Sequence, residues 1–302
     1  MARKYKKKVL AFAVESTYGV DAIAAGSPIY CLGREFTITP MAGESQSLDY
    51  DDGQLGNKPQ IHTEKYVTVE FTVDMAASSA AGTPAPWADL MKACLRKVTS
   101  DASTSTCALH EEATDSLTLY FYMDGALHKL TGARGSLKFS APAKNFGGIT
   151  FSFTGLFAPA QAAALPTPNF SAWVKPLKIG VENSAFTIDG TALKLISLEY
   201  DQANAVEHTE YVGHEEVQIT DYAPTSTIVI EAPPQGTWDA FALSSAESER
   251  TLVFTNGPVG NQFEWSSSKV QLGRPTYGDQ SGTTTLSIPL NIIGNSDTFI
   301  TR

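Results

Sequence analysis

The chain has 302 residues, enough for two domains of ordinary size, and its hydrophobic fraction of 42% can fill real cores, which excludes wholesale disorder. Only 18% of the residues are charged, and this balance favours β structure with polar turns over long charged helices. The net charge of −10 at pH 7 argues against a general nucleic-acid-binding surface, because an acidic body repels phosphates.

The chain begins with a basic arm, whose cations are Arg3, Lys4, Lys6, Lys7 and Lys8. The remainder of the chain is therefore more acidic than the net charge alone suggests. Two interpretations are open at this point. The arm anchors the protein on an acidic neighbouring surface, or it is a solvated terminus.

Strict alternation of apolar and polar residues is the strongest structural signal in the first half. It occurs in Val67–Val73, in Leu117–Met123 and in Ile149–Thr154. A period of two is typical of a strand with one buried and one wet face. The dipeptide Asp124-Gly125 has turn chemistry, so the sequence predicts a hairpin that continues into Leu127–Leu130.

One segment of the first half is predicted to be a helix, from Pro86 to Val98. Proline suits the first helical position, and Lys97 suits the last turn. An apolar stripe indicates a helix packed on a sheet, and it consists of Trp87, Leu90, Met91, Cys94, Leu95 and Val98. Cys94 is then a small core residue and not a nucleophile.

The second half repeats this order of elements. The matched strands are Phe36–Thr39 with Ile196–Glu199, Val67–Val73 with Thr227–Glu231, Leu117–Tyr122 with Leu252–Thr255, Leu127–Leu130 with Phe263–Trp265, Leu137–Phe139 with Val270–Leu272, and Gly148–Phe153 with Gly282–Ile288. A short helix headed by Trp238, with Thr237 as its N-cap, matches the Trp87 helix. The sequence therefore predicts a duplication, with a first domain at 1–160, a linker at 161–175 and a second domain at 176–302.

Three segments of the first half resemble the tail tube proteins of Mu-like long-tailed bacteriophages. They are Lys8–Ala22, His128–Phe139 and Gly147–Phe157. The second half carries no such segment, so its assignment depends on the repeat.

The resemblance implies a mainly β fold of two tandem tail-tube-type β-sandwich or half-barrel domains, each with one flanking α-helix. Six such domains form a ring, and rings stack into the tail tube of the virion, assembled in the host cytoplasm. The tube encloses a tape measure protein, later conducts genomic DNA without binding it specifically, and meets tail terminator and distal tail proteins at its ends. A duplicated domain implies a trimeric ring with pseudo-sixfold symmetry; a hexamer with an unrelated second domain is the alternative.

The resemblance also implies that the long loop from Ala42 to Lys65 contacts the neighbouring ring. Its candidate contact residues are Glu44, Asp49, Tyr50, Asp51 and Asp52. The matching loop of the second half offers Glu207, His208, Glu210, His214, Glu215 and Glu216. A basic arm of an adjacent subunit would complement either acidic loop, and the alternative is a solvated hairpin loop.

No catalytic, cofactor-binding or metal site is predicted, so the expected protein is not an enzyme. The loop aspartates lack the closing glutamate of a calcium loop, and His208 and His214 have the wrong separation for one helical face. The segment Gly132–Gly135 is interpreted as a turn. Three cysteines without metal-ligand spacing favour a reducing compartment, and no segment approaches the roughly 20 apolar residues of a membrane span.

The alternative function is a monomeric β-sandwich binding module, such as an adhesin or a decoration protein. Such a module needs exposed aromatic platforms. Trp173, beside the linker, is the tryptophan that the predicted elements leave free for that role. Size in solution would separate this module from a self-assembling subunit.

Overall fold

β-Strands dominate the computed structural model, which describes residues 3–302. The strands up to residue 162 are β1 (Lys8–Val14), β2 (Ile29–Cys31), β3 (Gly33–Ala42), β4 (Ser45–Ser47), β5 (Gln60–His62), β6 (Tyr66–Asp74), β7 (Arg96–Ser100), β8 (Ser105–Leu109), β9 (Leu117–Met123), β10 (Ala126–Pro142), β11 (Gly148–Phe157) and β12 (Gln161–Ala162). The later strands are β13 (Ser184–Ile188), β14 (Thr191–Ala192), β15 (Leu195–Asp201), β16 (Asn204–Tyr211), β17 (His214–Tyr222), β18 (Thr225–Glu231), β19 (Arg250–Asn256), β20 (Phe263–Leu272), β21 (Thr276–Gln280), β22 (Thr283–Ile292) and β23 (Asp297–Thr301). Three short helices accompany them, α1 (Ala22–Ala25), α2 (Ala88–Lys92) and α3 (Ala240–Ser245). The mainly β fold class predicted from the sequence is confirmed.

The alternating segments form strands with one buried face, as predicted. In β6 the apolar side chains of Val69 and Phe71 are buried while Glu70 between them is exposed. The neighbouring strand β11 presents Phe151 opposite Phe71, and the rings lie 5.9 Å apart. The alternation of apolar and polar residues therefore predicts correctly which face of the sheet meets the core.

Eight strands form one antiparallel sheet in the order β3-β6-β11-β10-β15-β18-β22-β21. The first four strands come from the first half of the chain and the last four from the second half. β10 joins the halves, because one edge of this long strand pairs with β9 near its start and with β15 near its end. Followed from ladder to ladder, the pairings do not return to their starting strand, so this sheet is open.

A second layer, which includes β9, β19, β20 and β23, covers the apolar face of this sheet and completes a sandwich. Phe121 of β9 packs edge-on against Phe36 of β3, with ring centroids 6.5 Å apart. In the other half, β20 pairs with β19 and β23, and Trp265 of β20 lies 5.2 Å from Phe139 of β10. The hydrophobic core lies between the two layers and includes residues from both halves of the chain.

The predicted helix at Pro86–Val98 is wrong in length. α2 ends at Lys92, and Leu95 has a positive φ of 58°, which a continuing helix does not allow. The next residues form β7, because β-branched Val98 and Thr99 suit a strand and pair with β8. The other half needs a similar correction, since the N-cap of α3 is Asp239, whose carboxylate accepts from two helix amides, and not Thr237.

The segment Gly132–Gly135 does not form a turn, contrary to the prediction. It lies inside β10, where the ladders to β9 and β11 both shift register. Gly132 has a φ of 59°, and a Cβ there would lie 2.6 Å from the ring of Tyr18. The glycine is therefore needed for a bulge that another side chain covers, rather than for a hairpin.

The predicted linker at 161–175 is mostly without regular structure, and it contacts the first half through the pairing of β12 with β10 and through Trp173. The predicted elements leave Trp173 of this segment free, and the structure shows that it is not. The indole Nε1 of Trp173 donates to the carbonyl oxygen of Tyr30 at 2.9 Å, and the ring packs against the core. Trp173 therefore fastens the linker and is not an exposed aromatic platform.

Candidate assembly surfaces

Both ends of the eight-stranded sheet have a free edge. Among residues 3–302, β3 pairs with β6 and β21 pairs with β22, and neither has a partner on its other side. All five residues of β21 are exposed, and most of β3 is exposed as well. Unpaired edges of this kind bind a further strand unless something blocks them, so they are the first candidates for contact between copies of the chain.

The junction between β10 and β15, called here the internal seam, shows how such edges meet within the chain. Its ladder runs from Lys138 opposite Asp201 to Pro142 opposite Ser197. The first of these pairs also forms an ion pair of 2.8 Å. The internal seam joins the last first-half strand to the first second-half strand of the sheet.

Irregularities recur at matching places in the two halves. The ladder between β3 and β6 shifts register after Arg34 and again after Thr39, and the ladder between β15 and β18 shifts once, after Leu195. A residue with positive φ forms the corner after each of these strands, Gly43 at 126° and Ala203 at 51°. When the two halves are aligned by these features, β15 takes the place of β3, and β21 takes the place of the end of β10, because each pairs with the start of the following long strand. The predicted match of Leu137–Phe139 with Val270–Leu272 is therefore wrong, since Val270–Leu272 pairs with the end of β22. The free edges of β3 and β21 are thus the equivalents of the two strands that meet in the internal seam.

A buried ion pair stabilises the internal seam on its core side. Arg96 of β7 and Asp297 of β23 are both fully buried, and their charged groups are 2.5 Å apart. The guanidinium also donates to the hydroxyl of Tyr200 at 2.8 Å and to the side-chain oxygen of Gln202 at 2.7 Å. Burial opposes the charge of Arg96, but Asp297 and Tyr200 outweigh it and hold the pKa of the guanidinium above its ordinary value.

The hairpin of β16 and β17 folds back over the first half and does not hang free. Arg134 donates to the carboxylate of Glu216 at 2.8 Å and to the carbonyl oxygen of Val217 at 2.7 Å. The amide of Val217 donates to the hydroxyl of Tyr18 at 2.6 Å. These contacts fix the hairpin on β10 and on the segment that follows β1.

A second set of contacts fixes the middle of the same hairpin. The ring of His208 is buried between two carboxylates, with Nδ1 2.8 Å from Glu64 and Nε2 3.2 Å from Glu215. It also lies against Tyr66, with ring centroids 5.3 Å apart. Four of the predicted contact residues are therefore engaged within the chain, His208, Glu215, Glu216 and the exposed His214, whose Nε2 lies 3.1 Å from the carboxylate of Glu216. The other two, Glu207 and Glu210, are exposed.

Glu15 organises the segment that carries Tyr18, and sequence reasoning missed its role. Its buried carboxylate accepts from the hydroxyls of Ser116 and Thr118 and from the amides of Gly19 and Gly132. Four donors satisfy the charge. The sequence feature that could have indicated this role is that Glu15 alone interrupts an apolar run within Lys8–Ala22, one of the three segments that carry the resemblance.

The loop between β3 and β6, residues 43–65 and called here the acidic loop, is exposed. Only the short hairpin of β4 and β5 gives it regular structure. The predicted contact residues Glu44, Asp49, Tyr50, Asp51 and Asp52 are all exposed. Asp52 pairs with Lys58 inside the loop, and this contact lowers the pKa of the aspartate. The acidic loop thus presents most of its charge to solvent.

The basic arm is partly used within the chain. Lys8 begins β1, and its ammonium donates to the carbonyl oxygen of Phe36 at 2.8 Å. Lys7 lies 3.9 Å from Asp124, whose carboxylate also accepts from the backbone amide of Lys4. Arg3, Lys4 and Lys6 are exposed.

The solvent face of the eight-stranded sheet is rich in hydroxyl side chains. Its exposed carboxylates without an ion pair among residues 3–302 are Glu70 and Glu199, whereas Lys138 is paired with Asp201 and Arg34 with Asp74. The hydroxyl-bearing side chains on this face include Thr37, Thr39, Thr68, Thr150, Ser152, Ser140 and Thr227. The face is therefore small, polar and weakly acidic.

Residues 3–302 contain no cluster of three or more His, Cys, Asp or Glu side chains placed to hold a metal ion. No helix in the described part of the chain is both long and apolar enough to cross a membrane. The three cysteines are free and buried, and burial raises the pKa of each thiol. Cys94 is a core residue, as predicted.

Comparison with known proteins gives one match over nearly the whole chain and one local likeness. The local likeness is to Jacalin-related lectin 4 of Arabidopsis thaliana, 36% identical over 78 residues, which are 25% of this chain and 10% of the lectin. The chain thus spans about a tenth of that relative's length. The other match aligns residues 6–291 with the family model for the phage tail tube protein, and the chain therefore belongs to the phage tail tube protein family.

Proposed function

We propose that three copies of this chain close into a ring with pseudo-sixfold symmetry by pairing the free edge of β21 with β3 of the next copy. As a member of the family, the chain is a structural component of a phage tail. The observation that carries the proposal is the pair of free edges, which match the two strands of the internal seam. Antiparallel closure around the ring removes every exposed edge of the sheet.

The solvent face of the eight-stranded sheet is the proposed lumen surface. Hydroxyl side chains make no fixed charge contacts, and Glu70 and Glu199 repel phosphates. Such a surface encloses a tape measure protein and later lets genomic DNA slide through without specific binding. Mu-like phages are the proposed group, with assembly in the host cytoplasm and with tail terminator and distal tail proteins at the tube ends.

Stacking of rings uses the acidic loop and the basic arm in this proposal. Both Tyr50 and Leu55 near the loop tip are exposed, and the cations of Arg3, Lys4 and Lys6 face solvent. Acidic and basic surfaces on adjacent rings attract each other, and this attraction weakens with salt.

Reversing two charges of the arm should shorten the tubes. The change Lys4→Glu with Lys6→Glu replaces attraction to the acidic loop by repulsion, while β1 keeps its residues. Negative-stain microscopy measures tube length at physiological salt. If the tubes kept their length, the arm would not be part of the stacking contact.

A cysteine pair across the proposed ring contact tests ring closure. The internal seam places Ser140 opposite Glu199, and the equivalent residues are Gln280 of β21 and Thr39 of β3. Both are exposed. The double variant Thr39→Cys with Gln280→Cys should therefore form disulfide-linked dimers and trimers under mild oxidation, because Cα atoms of opposed residues lie within disulfide reach. The measurement is the ladder of bands on a non-reducing gel.

Two controls make this result specific. Each single cysteine variant should stay uncrosslinked, since the three native thiols are buried. The pair Ser140→Cys with Glu199→Cys should form a disulfide within one chain and give no ladder. A double variant that assembles into tubes but never crosslinks would refute the pairing of β21 with β3, and purified protein that stays monomeric would refute the tube.

A further inference from the structure

The second half has a groove beside α3, called here the α3 groove. It is a surface cavity of about 490 Å³, lined among others by Phe241, Ser244, Leu272, Arg274 and Asn291. The hydroxyl of Ser244 donates to the carbonyl oxygen of Gly273 at 2.7 Å, so helix and strand form one wall. The groove lies beside β21, because Phe241 of its lining packs against Tyr277 of that strand with ring centroids 5.3 Å apart.

In the first half, the chain itself fills the equivalent place beside α2. The corner between β15 and β16 inserts there, and Gln202 donates to the carbonyl oxygen of Cys94 at 2.5 Å. Asn204 donates from its side chain to the carbonyl oxygen of Gly135 at 2.9 Å and from its backbone to the hydroxyl of Ser136 at 3.1 Å. The corner follows the strand that pairs in the internal seam.

The matching corner of a neighbouring copy is the segment from Ala42 to Glu44. It follows β3, the strand equivalent to β15, and its central residue Gly43 has a positive φ, as Ala203 has. If β3 of the next chain pairs with β21, this corner arrives at the α3 groove. A corner that follows a paired edge strand then fills the α3 groove, as it fills the place beside α2.

Charge supports the same occupant. Arg134, just after the irregularity in β10, holds the second-half hairpin through the carboxylate of Glu216 and the carbonyl oxygen of Val217. Arg274 stands at the equivalent place, between β20 and β21. It is exposed, and none of the ion pairs found among residues 3–302 includes it.

The acidic loop offers carboxylates at the matching distance along the chain. In the internal arrangement, Glu216 lies opposite Thr209, five residues after Asn204. The residue five positions after Glu44 is Asp49, which is exposed. By this count Asp49 matches Thr209, so it lies beside the position that Glu216 occupies in the internal arrangement. The carboxylate of Asp49 accepts only a hydroxyl hydrogen bond, from Ser47 at 2.8 Å, and has no cation beside it among residues 3–302. The exposed cation of one chain and this exposed acid of the next are thus complementary.

We infer that the α3 groove receives the corner Ala42–Glu44 of the next chain in the ring, and that Arg274 binds the acidic loop at Asp49. This inference depends on the proposed ring and adds a second contact to it. The base of the acidic loop then lies within one ring, and only its tip is left for the ring above or below.

Reversal of one charge tests the inference. Arg274→Glu should raise the protein concentration needed for half-maximal assembly by about tenfold or more, since attraction becomes repulsion at a contact between chains. The thermal unfolding of the unassembled protein should not change, because Arg274 is exposed. Adding Asp49→Arg to this variant should restore assembly, and sedimentation over a concentration series measures both effects.

Lys97→Glu is the matched control, because Lys97 is an exposed cation of β7 that does not line the groove. Normal assembly of Arg274→Glu, or failure of Asp49→Arg to rescue it, would overturn the inference. The cysteine pair of β3 and β21 distinguishes failure of the groove contact from failure of the ring contact. If the pair crosslinks while Arg274→Glu leaves assembly unchanged, only the groove contact is refuted. If assembled protein does not crosslink, the ring contact itself is refuted.

Discussion

The variant Phe151→Asp should not fold. Phe151 is fully buried in β11 and stacks on Phe71 and Phe153, with ring centroids 5.9 Å away in each case. Loss of a buried phenylalanine side chain costs about 3–5 kcal/mol by itself, and burying an unpaired carboxylate adds several more. Total stabilities of domains are about 5–15 kcal/mol, so little or none would be left. Circular dichroism and the soluble yield of the variant measure the outcome.

The neighbouring residue provides the control for this prediction. Ser152→Asp puts the same carboxylate on the solvent face of the same strand, where Ser152 is exposed. Glu70 lies opposite, so we expect a loss below about 1 kcal/mol from the like charges. Equal damage by both variants would show that the alternation of β11 does not separate core from solvent.

The variant Asp297→Ala should lower the free energy of unfolding by about 3–5 kcal/mol, because it leaves the guanidinium of Arg96 buried without its counter-charge. Asp297 is fully buried, and Tyr200 also loses the carboxylate to which its hydroxyl donates at 2.9 Å. Urea denaturation followed by tryptophan fluorescence measures the change, since Trp265 is buried beside Tyr200 with ring centroids 5.2 Å apart.

An exposed ion pair is the comparison for this prediction. Glu231→Ala breaks the contact of 2.6 Å with Lys194 at the surface and should cost less than about 1 kcal/mol. Replacing both buried partners, as Arg96→Met with Asp297→Leu, should cost less than Asp297→Ala alone. If Asp297→Ala were as mild as Glu231→Ala, the buried ion pair would not be what fastens the two halves together.

Alternation in the sequence predicted those strands whose two faces differ. It found β6, β9 and β11, and the repeat located β15, β18 and β22 in the second half. It missed β21, all of whose residues are exposed, because a strand at a free edge with two wet faces has no apolar period. The predicted helix ran too long since Leu95 and Val98 continue an apolar spacing of three to four residues after the backbone has turned into β7.

The contacts between the halves could not be predicted from local patterns. Arg96 reads as a surface cation beside Lys97, and its partner Asp297 is distant in sequence. Which acids of the two loops lack an ionic partner within the chain also depends on the fold. Glu215 contacts His208, and Glu216 contacts Arg134 and His214, while Glu44 and Asp49 are exposed without an ion pair among residues 3–302. Composition identified both loops as acidic but contained no information about their partners.

The internal seam lowers the number of junctions between separate chains that a ring needs. In the proposed ring, every second junction between sheets is already made when a chain folds. Three junctions between molecules therefore replace six, and two encounters between molecules replace five. Each encounter between separate molecules costs about 4–15 kcal/mol in lost translation and rotation, and a junction inside one chain avoids that loss. A ring of this protein should therefore form at lower concentration than one built from six separate single-domain subunits with equal contacts. Its weak points, where force or detergent opens it first, should lie only at the junctions between chains.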